Sequence, residues 1–236
     1  MRVVRGRGED ADADRAVTQF LLEHAGTAGE PAVRVWRPHR QVAFGPRDAS
    51  GDGYEAAVAA AREREFPVTE RRAGGRPVAY TGDTIAFARI EPVANERTGI
   101  EERYAAVRVD VRDALRELGV DAERGEPDAA FCPGSYSLQA AGGKVVGIAQ
   151  RVTGDAALVA GIVVVDGHEE IGAVLDPVYD ALDVPFDPET VGSVARAGGE
   201  VDPVAIIMRL EDALVGDHLG SVEWVDDLPT VEWADE

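Results

Sequence analysis

Three predicted strands follow one long amphipathic helix, and this order strongly limits the fold classes open to the chain. Apolar residues recur at three- and four-residue intervals from Ile100 to Leu118, which predicts a helix, and Gly119 ends it. The predicted strands after it are Tyr136 to Ala140, Lys144 to Val152 and Ala157 to Val165. Lys144 begins a hairpin strand after Gly142-Gly143, and strand pairs with helices between and after them are typical of an α+β domain.

Strands and helices also alternate before this segment. The predicted strands are residues 1–6, Ala32 to Trp36, Gln41 to Gly45, Val68 to Arg71, Val78 to Tyr80 and Thr84 to Ile90, and the predicted helices are Asp12 to His24 and Tyr54 to Glu65. With no internal repeat and no long linker, the pattern predicts an α+β fold with mixed and antiparallel sheets packed against helices. We expect one domain over residues 1–236, with its core at about residues 30–165.

The C-terminal part differs from this core. Residues from about 166 to 220 are predicted to be helical, with Asp202 as the N-cap and Pro203 at the first helical position. Residues 222–236 form an acidic tail with two tryptophans, Trp224 and Trp233. The tail fits either a strand followed by disorder or a docking element.

The chain has 44 acidic side chains against 24 lysines and arginines, a formal net charge of -20. Such a surface repels phosphate, which argues against a nucleic-acid partner. Dense carboxylates keep a protein soluble in concentrated salt, so the charge indicates a halophilic, high-salt cytoplasm more than a particular partner. No apolar run reaches the ~18 residues that cross a bilayer, and the N-terminus has no apolar signal segment. We expect a cytoplasmic protein without membrane association.

Cysteine and histidine usage argues against a metal site. A single cysteine excludes an intramolecular disulfide and any multi-cysteine zinc site. The four histidines show no ligand spacing such as His-x-x-x-His; they are His24, His39, His168 and His218. We therefore expect no metal.

The one lysine and the one cysteine of the chain stand 12 positions apart. All other basic side chains are arginines, so Lys144 indicates a need for a flexible primary amine that a planar guanidinium does not meet. Cys132 precedes the turn sequence Pro133-Gly134, which places the thiol on a loop near the strand that Lys144 begins. An ammonium near a thiol favours the thiolate, which attacks thioesters and activated amides. The structural alternatives are a solvated strand-end lysine and a small buried cysteine.

A glycine-rich segment also joins two predicted strands, Arg71-Arg72-Ala73-Gly74-Gly75-Arg76-Pro77-Val78. Paired glycines let the backbone approach a ligand, and their N–H groups can hold an oxyanion, although such turns are commonly only structural. The segment lacks the Gly-x-x-x-x-Gly-Lys-Ser/Thr and Gly-x-Gly-x-x-Gly spacings. Neither nucleotide-binding fold is therefore predicted.

Taken in order, these segments resemble the lipoate/octanoate protein ligase and transferase family, whose fold is shared with biotin protein ligases. Arg71 to Val78 is similar to that family's Arg-Arg-x-x-Gly-Gly-x-Ala-Val turn. Gly143 to Arg151 is similar to its Lys-Ile-x-Gly-x-Ala-Gln strand, with Lys144 at the essential lysine. Trp36 to Gly45 is similar to the strand pair that begins the family's pocket, and the resemblance covers roughly residues 30–165.

The segment Cys132 to Leu138 most resembles the octanoyl-GcvH:protein N-octanoyltransferases, which carry an acyl thioester on a cysteine in this loop. The resemblance implies a single catalytic domain in which Cys132 is the nucleophile and Lys144 tunes it and holds the substrate carbonyl. It further implies a substrate-binding set of Arg71, Gly74, Gly75, Arg76, Val78, Gly147 and Ala149. The implied reaction moves an octanoyl or lipoyl group to a lysine of a lipoyl domain, and it requires no ATP and no metal.

The sequence departs from the family at three places. Tyr80-Thr81 stands where many ligases have His-Asp, and Ala160-Gly161 stands where they have His-Gly. The Arg71-Arg72 pair is one residue too near the glycines, so Arg71 alone matches the arginine pair. These changes argue against an adenylate-forming ligase more than against the cysteine branch.

Two alternatives stay open. One is an ATP- and magnesium-dependent lipoate-protein ligase that uses Lys144 but not Cys132. The other is a non-catalytic protein that binds an acyl chain or a carrier domain. In each case the resemblance implies lipoyl-domain partners, namely the glycine cleavage H protein and the acyltransferase subunit of 2-oxoacid dehydrogenases.

Overall fold

The computed structural model describes residues 1–229, which form two β-sheets and six α-helices. The strands are β1 Arg2–Arg5, β2 Ala32–Trp36, β3 Gln41–Phe44, β4 Val68–Glu70, β5 Val78–Tyr80, β6 Thr84–Pro92, β7 Glu123–Arg124, β8 Leu138–Ala140, β9 Gly143–Thr153, β10 Ala156–Val164 and β11 Ser221–Trp224. The helices are α1 Ala11–Ala28, α2 Pro46–Ala49, α3 Tyr54–Glu63, α4 Ile100–Glu117, α5 His168–Ala181 and α6 Pro203–Val215. No helix among these residues is long and apolar enough to cross a membrane.

The larger sheet has eight strands in the order β11-β1-β2-β6-β10-β9-β8-β7. From β2 to β7 every pair is antiparallel, whereas β1 pairs in parallel with both β2 and β11. The smaller sheet has the order β4-β3-β5. The predicted α+β class with mixed and antiparallel sheets is confirmed.

Two layers cover the larger sheet, because alternate side chains of each strand point to opposite faces. On one face α4 and α6 pack over the sheet, and Val111, Leu115, Leu210 and Phe87 share one apolar cluster there. The other face is covered by two separate groups of elements. Helix α1 packs over Leu158 and Ile90, and the smaller sheet packs with α3 and α5 over Ile162 and Val164.

Most predicted elements lie where the sequence placed them, and the differences concern their ends. Helix α1 continues to Ala28 because Gly29, in the left-handed region at φ 69°, supplies the cap. Strand β8 begins at Leu138 and not at Tyr136, because the Tyr136 ring leaves the sheet to stack on Tyr104 at a centroid distance of 4.2 Å. The predicted cap of α6 is confirmed, since the Asp202 carboxylate accepts a hydrogen bond from the Val204 N–H at 3.1 Å.

The prediction of a helical C-terminal part over about residues 166–220 is wrong in part. It contains α5 and α6, but residues 182–202 between them are not α-helical, and Pro188–Thr190 forms a short 3-10 turn. Part of the acidic tail is a strand, because β11 pairs with β1 and Glu223 bonds to the Arg2 guanidinium at 2.6 Å. Trp233 lies outside the described residues.

Candidate active site

A β-bulge in β9 brings Lys144 onto the sheet face that carries the site. The pairing of β8 with β9 shifts register between Leu138 and Gln139. Val145 and Val146 consequently both pack into the α4–α6 side of the core, so the usual alternation of side chains is broken once. Lys144 therefore lies on the same face as Gly147, where a Cβ added to Gly147 would stand 3.6 Å from the Lys144 Cε.

The Lys144 ammonium holds the loop that contains the thiol. Its side chain is 0% exposed and bonds to the Glu126 carboxylate at 2.8 Å. The same nitrogen donates to the backbone carbonyl of Phe131 at 2.9 Å and to that of Cys132 at 2.6 Å. An ammonium has three hydrogens, and these three acceptors use all of them. Lys144 and Glu126 thus form a partly buried ion pair, and the ammonium fixes two successive carbonyls next to the thiol.

Glu126 also fixes the far side of the loop. Its second carboxylate oxygen accepts a hydrogen bond from the Gly134 N–H at 2.7 Å. The carboxylate therefore joins the ammonium to the turn that follows Cys132. A charged acceptor bonded to both groups is stronger than a neutral one, so the loop from Phe131 to Gly134 is held at both ends.

Cys132 has an unusual backbone conformation for a residue with a side chain. Its φ is 41°, in the left-handed region, and its side chain is half-buried. The Cys132 N–H donates to the Tyr179 hydroxyl at 2.7 Å, and that hydroxyl donates to the Pro77 carbonyl at 2.9 Å. Strained residues of this kind persist where surrounding contacts fix them, and they are concentrated at functional sites.

Arg71 is the cation that contacts the sulfur. Its Nη2 lies 3.8 Å from the Cys132 Sγ and 2.5 Å from the carbonyl oxygen of Arg76. Its Nη1 donates to the carbonyls of Ala73 and Gly74 at 2.9 and 2.6 Å. One guanidinium therefore closes the glycine turn on itself and presents a positive charge to the sulfur.

The predicted contact between the Lys144 ammonium and the thiol is not present. The ammonium bonds to the carbonyl of Cys132 and not to its sulfur, because Glu126 and Phe131 take its other two hydrogens. The sequence placed the two side chains in one site, and the structure does so as well. The charge at the sulfur comes from Arg71 instead.

Gly75 packs directly against the sulfur. It has φ 102°, and a Cβ built on it would lie 2.7 Å from the Cys132 Sγ. The turn is exposed at Gly74 and Gly75. Neither glycine N–H donates a hydrogen bond to any of residues 1–229, and Gly75 is the one whose backbone lies beside the sulfur.

A strip of small residues extends from the Lys144 side chain across the sheet. Ala149 lies opposite Ala160, and Gly147 lies opposite Ile162, so these side chains share the face that also carries Lys144. Gly147, Ala149 and Ala160 are partly exposed, unlike most of this sheet. The strip lies between the parts of that face covered by α1 and by the α3–α5 layer, since Ala160 packs with the α1 cluster and Ile162 packs with the α3–α5 cluster.

Two members of the predicted substrate-binding set also contact residues outside that set. Val78 is buried in the core of the α3–α5 layer, in the same cluster as Phe131. Arg76 forms an ion pair with Asp48, a nearly buried carboxylate on α2. The structure thus brings Cys132, Lys144, Arg71, Gly75 and Gly147 together, with the remaining members at the edges of this group.

Sequence reasoning missed Glu126, Tyr179 and Asp48. Each contacts the site from a distant part of the chain: Tyr179 bonds to Cys132 across 47 positions, and Glu126 bonds to Lys144 across 18. Burial raises the pKa of the Tyr179 hydroxyl well above its ordinary value, which keeps it protonated. The local pattern around these three residues is that of an ordinary loop or helix and carries no signal of the contact.

Comparison with known proteins assigns the family. The family model of the lipoyl protein ligase A/B catalytic domain matches residues 10–202. The chain belongs to this family. The resemblance seen in the sequence is therefore confirmed, and the match includes α5, which lies outside the segment on which the resemblance rested.

Curated relatives come from the transferase branch. An octanoyl-[GcvH]:protein N-octanoyltransferase of Geobacillus kaustophilus is 29% identical over 143 residues, 60% of this chain and 50% of the relative. A lipoyl-[GcvH]:protein N-lipoyltransferase of Listeria monocytogenes is 26% identical over 161 residues, 68% of this chain and 58% of the relative. The chain thus matches these curated relatives over about half of their length.

The fold is that of solved ligases. The crystal structure of lipoate-protein ligase A bound with ATP superposes with a TM-score of 0.72 at 19% identity, over 94% of this chain and 88% of that one. At this identity the likeness concerns the fold alone. The biotin and lipoate ligase-like architecture expected from the sequence is confirmed.

Proposed function

We propose that this protein is an acyltransferase that moves an octanoyl or lipoyl group to a lysine of a lipoyl domain through a thioester on Cys132. The observation that carries the proposal is the position of the sulfur: it is half-buried, contacts the Arg71 guanidinium at 3.8 Å and lies against the exposed Gly75. A thiol beside a fixed positive charge and free N–H groups has the parts that covalent acyl transfer needs.

In the first half-reaction the Cys132 sulfur attacks the acyl carbonyl of the donor. The S–C bond forms, the bond between the carbonyl carbon and the donor nitrogen or sulfur breaks, and the thiol proton leaves with the donor. The Arg71 guanidinium stabilises the negative charge that develops on the sulfur as the proton leaves. The Gly74 and Gly75 N–H groups are the proposed donors to the oxyanion, because the Cys132 N–H is already bonded to Tyr179.

In the second half-reaction the amine of an acceptor lysine attacks the thioester. The N–C bond forms, the S–C bond breaks, and a proton from the amine returns to the sulfur. The proposed place of the acyl chain is the strip of Gly147, Ala149 and Ala160, whose small side chains leave room over the sheet. No oxidant, metal or nucleotide enters this balance, since the acyl bond of the donor is exchanged and not made anew.

Lys144 has a structural part in this proposal. With its three hydrogens given to Glu126, Phe131 and Cys132, it holds the loop in the conformation that presents the thiol. Its expected contact with the substrate carbonyl would require one of these bonds to be exchanged. The proposed acceptors are lipoyl-domain proteins, the glycine cleavage H protein among them by analogy with the relatives' names, and the acyltransferase subunit of 2-oxoacid dehydrogenases.

The setting is part of the proposal as well. A chain with net charge -20 fits a halophilic cytoplasm, as expected from composition.

The test is acyl transfer from an octanoylated H protein to an apo lipoyl domain, followed by intact-mass spectrometry. We expect an octanoyl adduct on the wild-type protein and none on Cys132→Ser, which keeps a hydroxyl of similar size. Full transfer by Cys132→Ala contradicts the proposal.

The same assay with and without ATP separates the alternatives. An ATP-dependent ligase would release pyrophosphate and would act in the Cys132→Ser variant. Tight binding of the carrier without turnover under any donor, unchanged in Lys144→Ala, would instead indicate a non-catalytic binding protein.

A further inference from the structure

Tyr179 is a buried residue of α5 whose polar group contacts the candidate site. The residue is 0% exposed, and its ring packs against Phe186 at a centroid distance of 4.8 Å. Its hydroxyl accepts the Cys132 N–H at 2.7 Å and donates to the Pro77 carbonyl at 2.9 Å. Because burial raises the pKa of this hydroxyl, the group stays protonated and can donate its hydrogen bond to the Pro77 carbonyl.

The two hydrogen bonds join the two segments that enclose the thiol. The first bond is to the N–H of Cys132, in the thiol loop. The second is to the carbonyl of Pro77, two positions after Gly75 in the glycine turn. The backbone of Gly75 lies against the sulfur. A single hydroxyl oxygen therefore links the backbone of the thiol loop to the end of the glycine turn. A shift of about 1 Å at a reacting centre is enough to cost roughly 100-fold in rate.

The strained backbone of Cys132 makes these contacts necessary. A residue with a side chain at φ 41° is held there by its surroundings. The Lys144 ammonium fixes the carbonyl of Cys132, and the Tyr179 hydroxyl fixes its N–H. Without the hydroxyl the Cys132 N–H loses its hydrogen-bond partner, so the backbone of this residue can relax out of the left-handed region.

We propose that Tyr179 is a positioning residue for the acyl-transfer reaction: its hydroxyl holds the Cys132 sulfur against the glycine turn by bonding the Cys132 N–H and the Pro77 carbonyl together. The proposal rests on the proposed function only in taking Cys132 as the nucleophile. Tyr179 does not touch the acyl group and acts through the position of the thiol.

The test compares two reactions of the same sulfur in Tyr179→Phe, which keeps the ring and removes the hydroxyl. The first is acylation by p-nitrophenyl octanoate, followed by p-nitrophenolate release and by mass. The second is alkylation by iodoacetamide, which in a chain with one cysteine reports Cys132 alone. We expect acylation at least ~10-fold slower and alkylation within about threefold of wild type, because only acylation needs the sulfur aligned with the oxyanion donors.

Two control variants separate the hydroxyl from packing. Tyr54→Phe removes a hydroxyl that bonds the Glu70 carboxylate at 2.7 Å elsewhere in the same layer. Phe186→Leu disturbs the packing of the Tyr179 ring and keeps its hydroxyl. Both are expected to acylate within about twofold of wild type, although Phe186→Leu should unfold at a lower temperature.

Each outcome decides the proposal. Acylation by Tyr179→Phe at the wild-type rate, an equal loss in Phe186→Leu, or equal changes in acylation and alkylation all overturn it. If Tyr179→Phe does not fold, 4-aminophenylalanine at this position keeps a donor for Pro77 and weakens the acceptor for Cys132, and slower acylation is again expected. A wild-type protein that p-nitrophenyl octanoate does not acylate on Cys132 also overturns it.

The proposed function is tested separately. If p-nitrophenyl octanoate acylates Cys132 and Tyr179→Phe slows that reaction, Tyr179 positions the thiol. If in the same samples no carrier domain donates or accepts an acyl group, the acyltransferase proposal fails while the positioning role stands.

Discussion

Gly75 offers the sharpest test of the site geometry, because one added carbon meets the sulfur. Gly75→Ala places a Cβ 2.7 Å from the Cys132 Sγ and 3.2 Å from the Arg71 Nη2. An ordinary contact begins near 3.4 Å, so the sulfur or the turn must move by about 0.7 Å. The Arg71 guanidinium cannot move aside freely to make room for the added carbon, since its nitrogens already donate hydrogen bonds to the carbonyls of Ala73, Gly74 and Arg76.

Gly75→Ala should lower the thermal stability moderately and the rate of acylation strongly. An alanine at positive φ costs about 1–2 kcal/mol, which lowers Tm by roughly 2–8 °C in a chain of this size. The displaced sulfur adds to this a loss of acylation, which we expect to reach roughly 100-fold. The loss of rate should therefore far exceed what the small fraction of unfolded protein explains.

Two glycine variants provide the controls. Gly198 has φ 79° and no atom within 4 Å of an added Cβ, so Gly198→Ala carries the backbone strain without a steric contact. Gly82→Ala introduces neither backbone strain nor a steric contact, since the φ of Gly82 is not positive and no atom lies within 4 Å of an added Cβ. The assay is formation of the octanoyl adduct on Cys132 by intact-mass spectrometry, with Tm from thermal unfolding. If Gly75→Ala acylates as fast as Gly198→Ala, the sulfur does not react where this structure places it.

Further predictions concern the ion pairs and the charge. Lys144→Met should abolish the octanoyl adduct and lower the free energy of unfolding in urea by about 3 kcal/mol, because it leaves Glu126 and two carbonyls without their cation. Lys144→Arg should also abolish the adduct. A fully active Lys144→Arg would refute the argument from the single lysine. Hydrogen bonds from Arg2 lower the pKa of Glu223 below 4.5, so this pair stabilises the fold above that pH and the contribution is lost as pH falls through the folded pKa. Glu223→Gln should therefore lower the urea midpoint at neutral pH more than at about pH 3, and equal losses would contradict the assignment. Thermal unfolding in increasing KCl should occur at higher temperature, because salt screens the repulsion within a chain of net charge -20, and a Tm that falls with KCl would contradict a high-salt setting.

Much of the fold could be predicted because its signals are local. The apolar spacing of α4, the alternation of β6, and the Asp202-Pro203 start of α6 each depend on neighbouring residues only. Helix α5 was not separated from its surroundings, since Pro177 stands inside it and interrupts a helical pattern. Strand β11 was not assigned because its partner, β1, lies at the other end of the chain.

The sequence by itself determined the α+β class, the family resemblance, and the pairing of one thiol with one amine in one segment. Composition alone singled out Cys132 and Lys144, since each is unique in the chain. These conclusions hold because residue counts, short spacings and motif order do not depend on how distant segments meet.

Only the tertiary structure decided which charge faces the sulfur. The bulge at Val145 changes the face on which Lys144 lies, and a pattern of alternation does not reveal such a shift. Arg71 meets Cys132 across 61 positions and Tyr179 meets it across 47, so no local rule predicts either contact. The physical reason is that a polar group in the interior must find hydrogen-bond partners wherever the packed chain supplies them, and packing is a property of the whole fold.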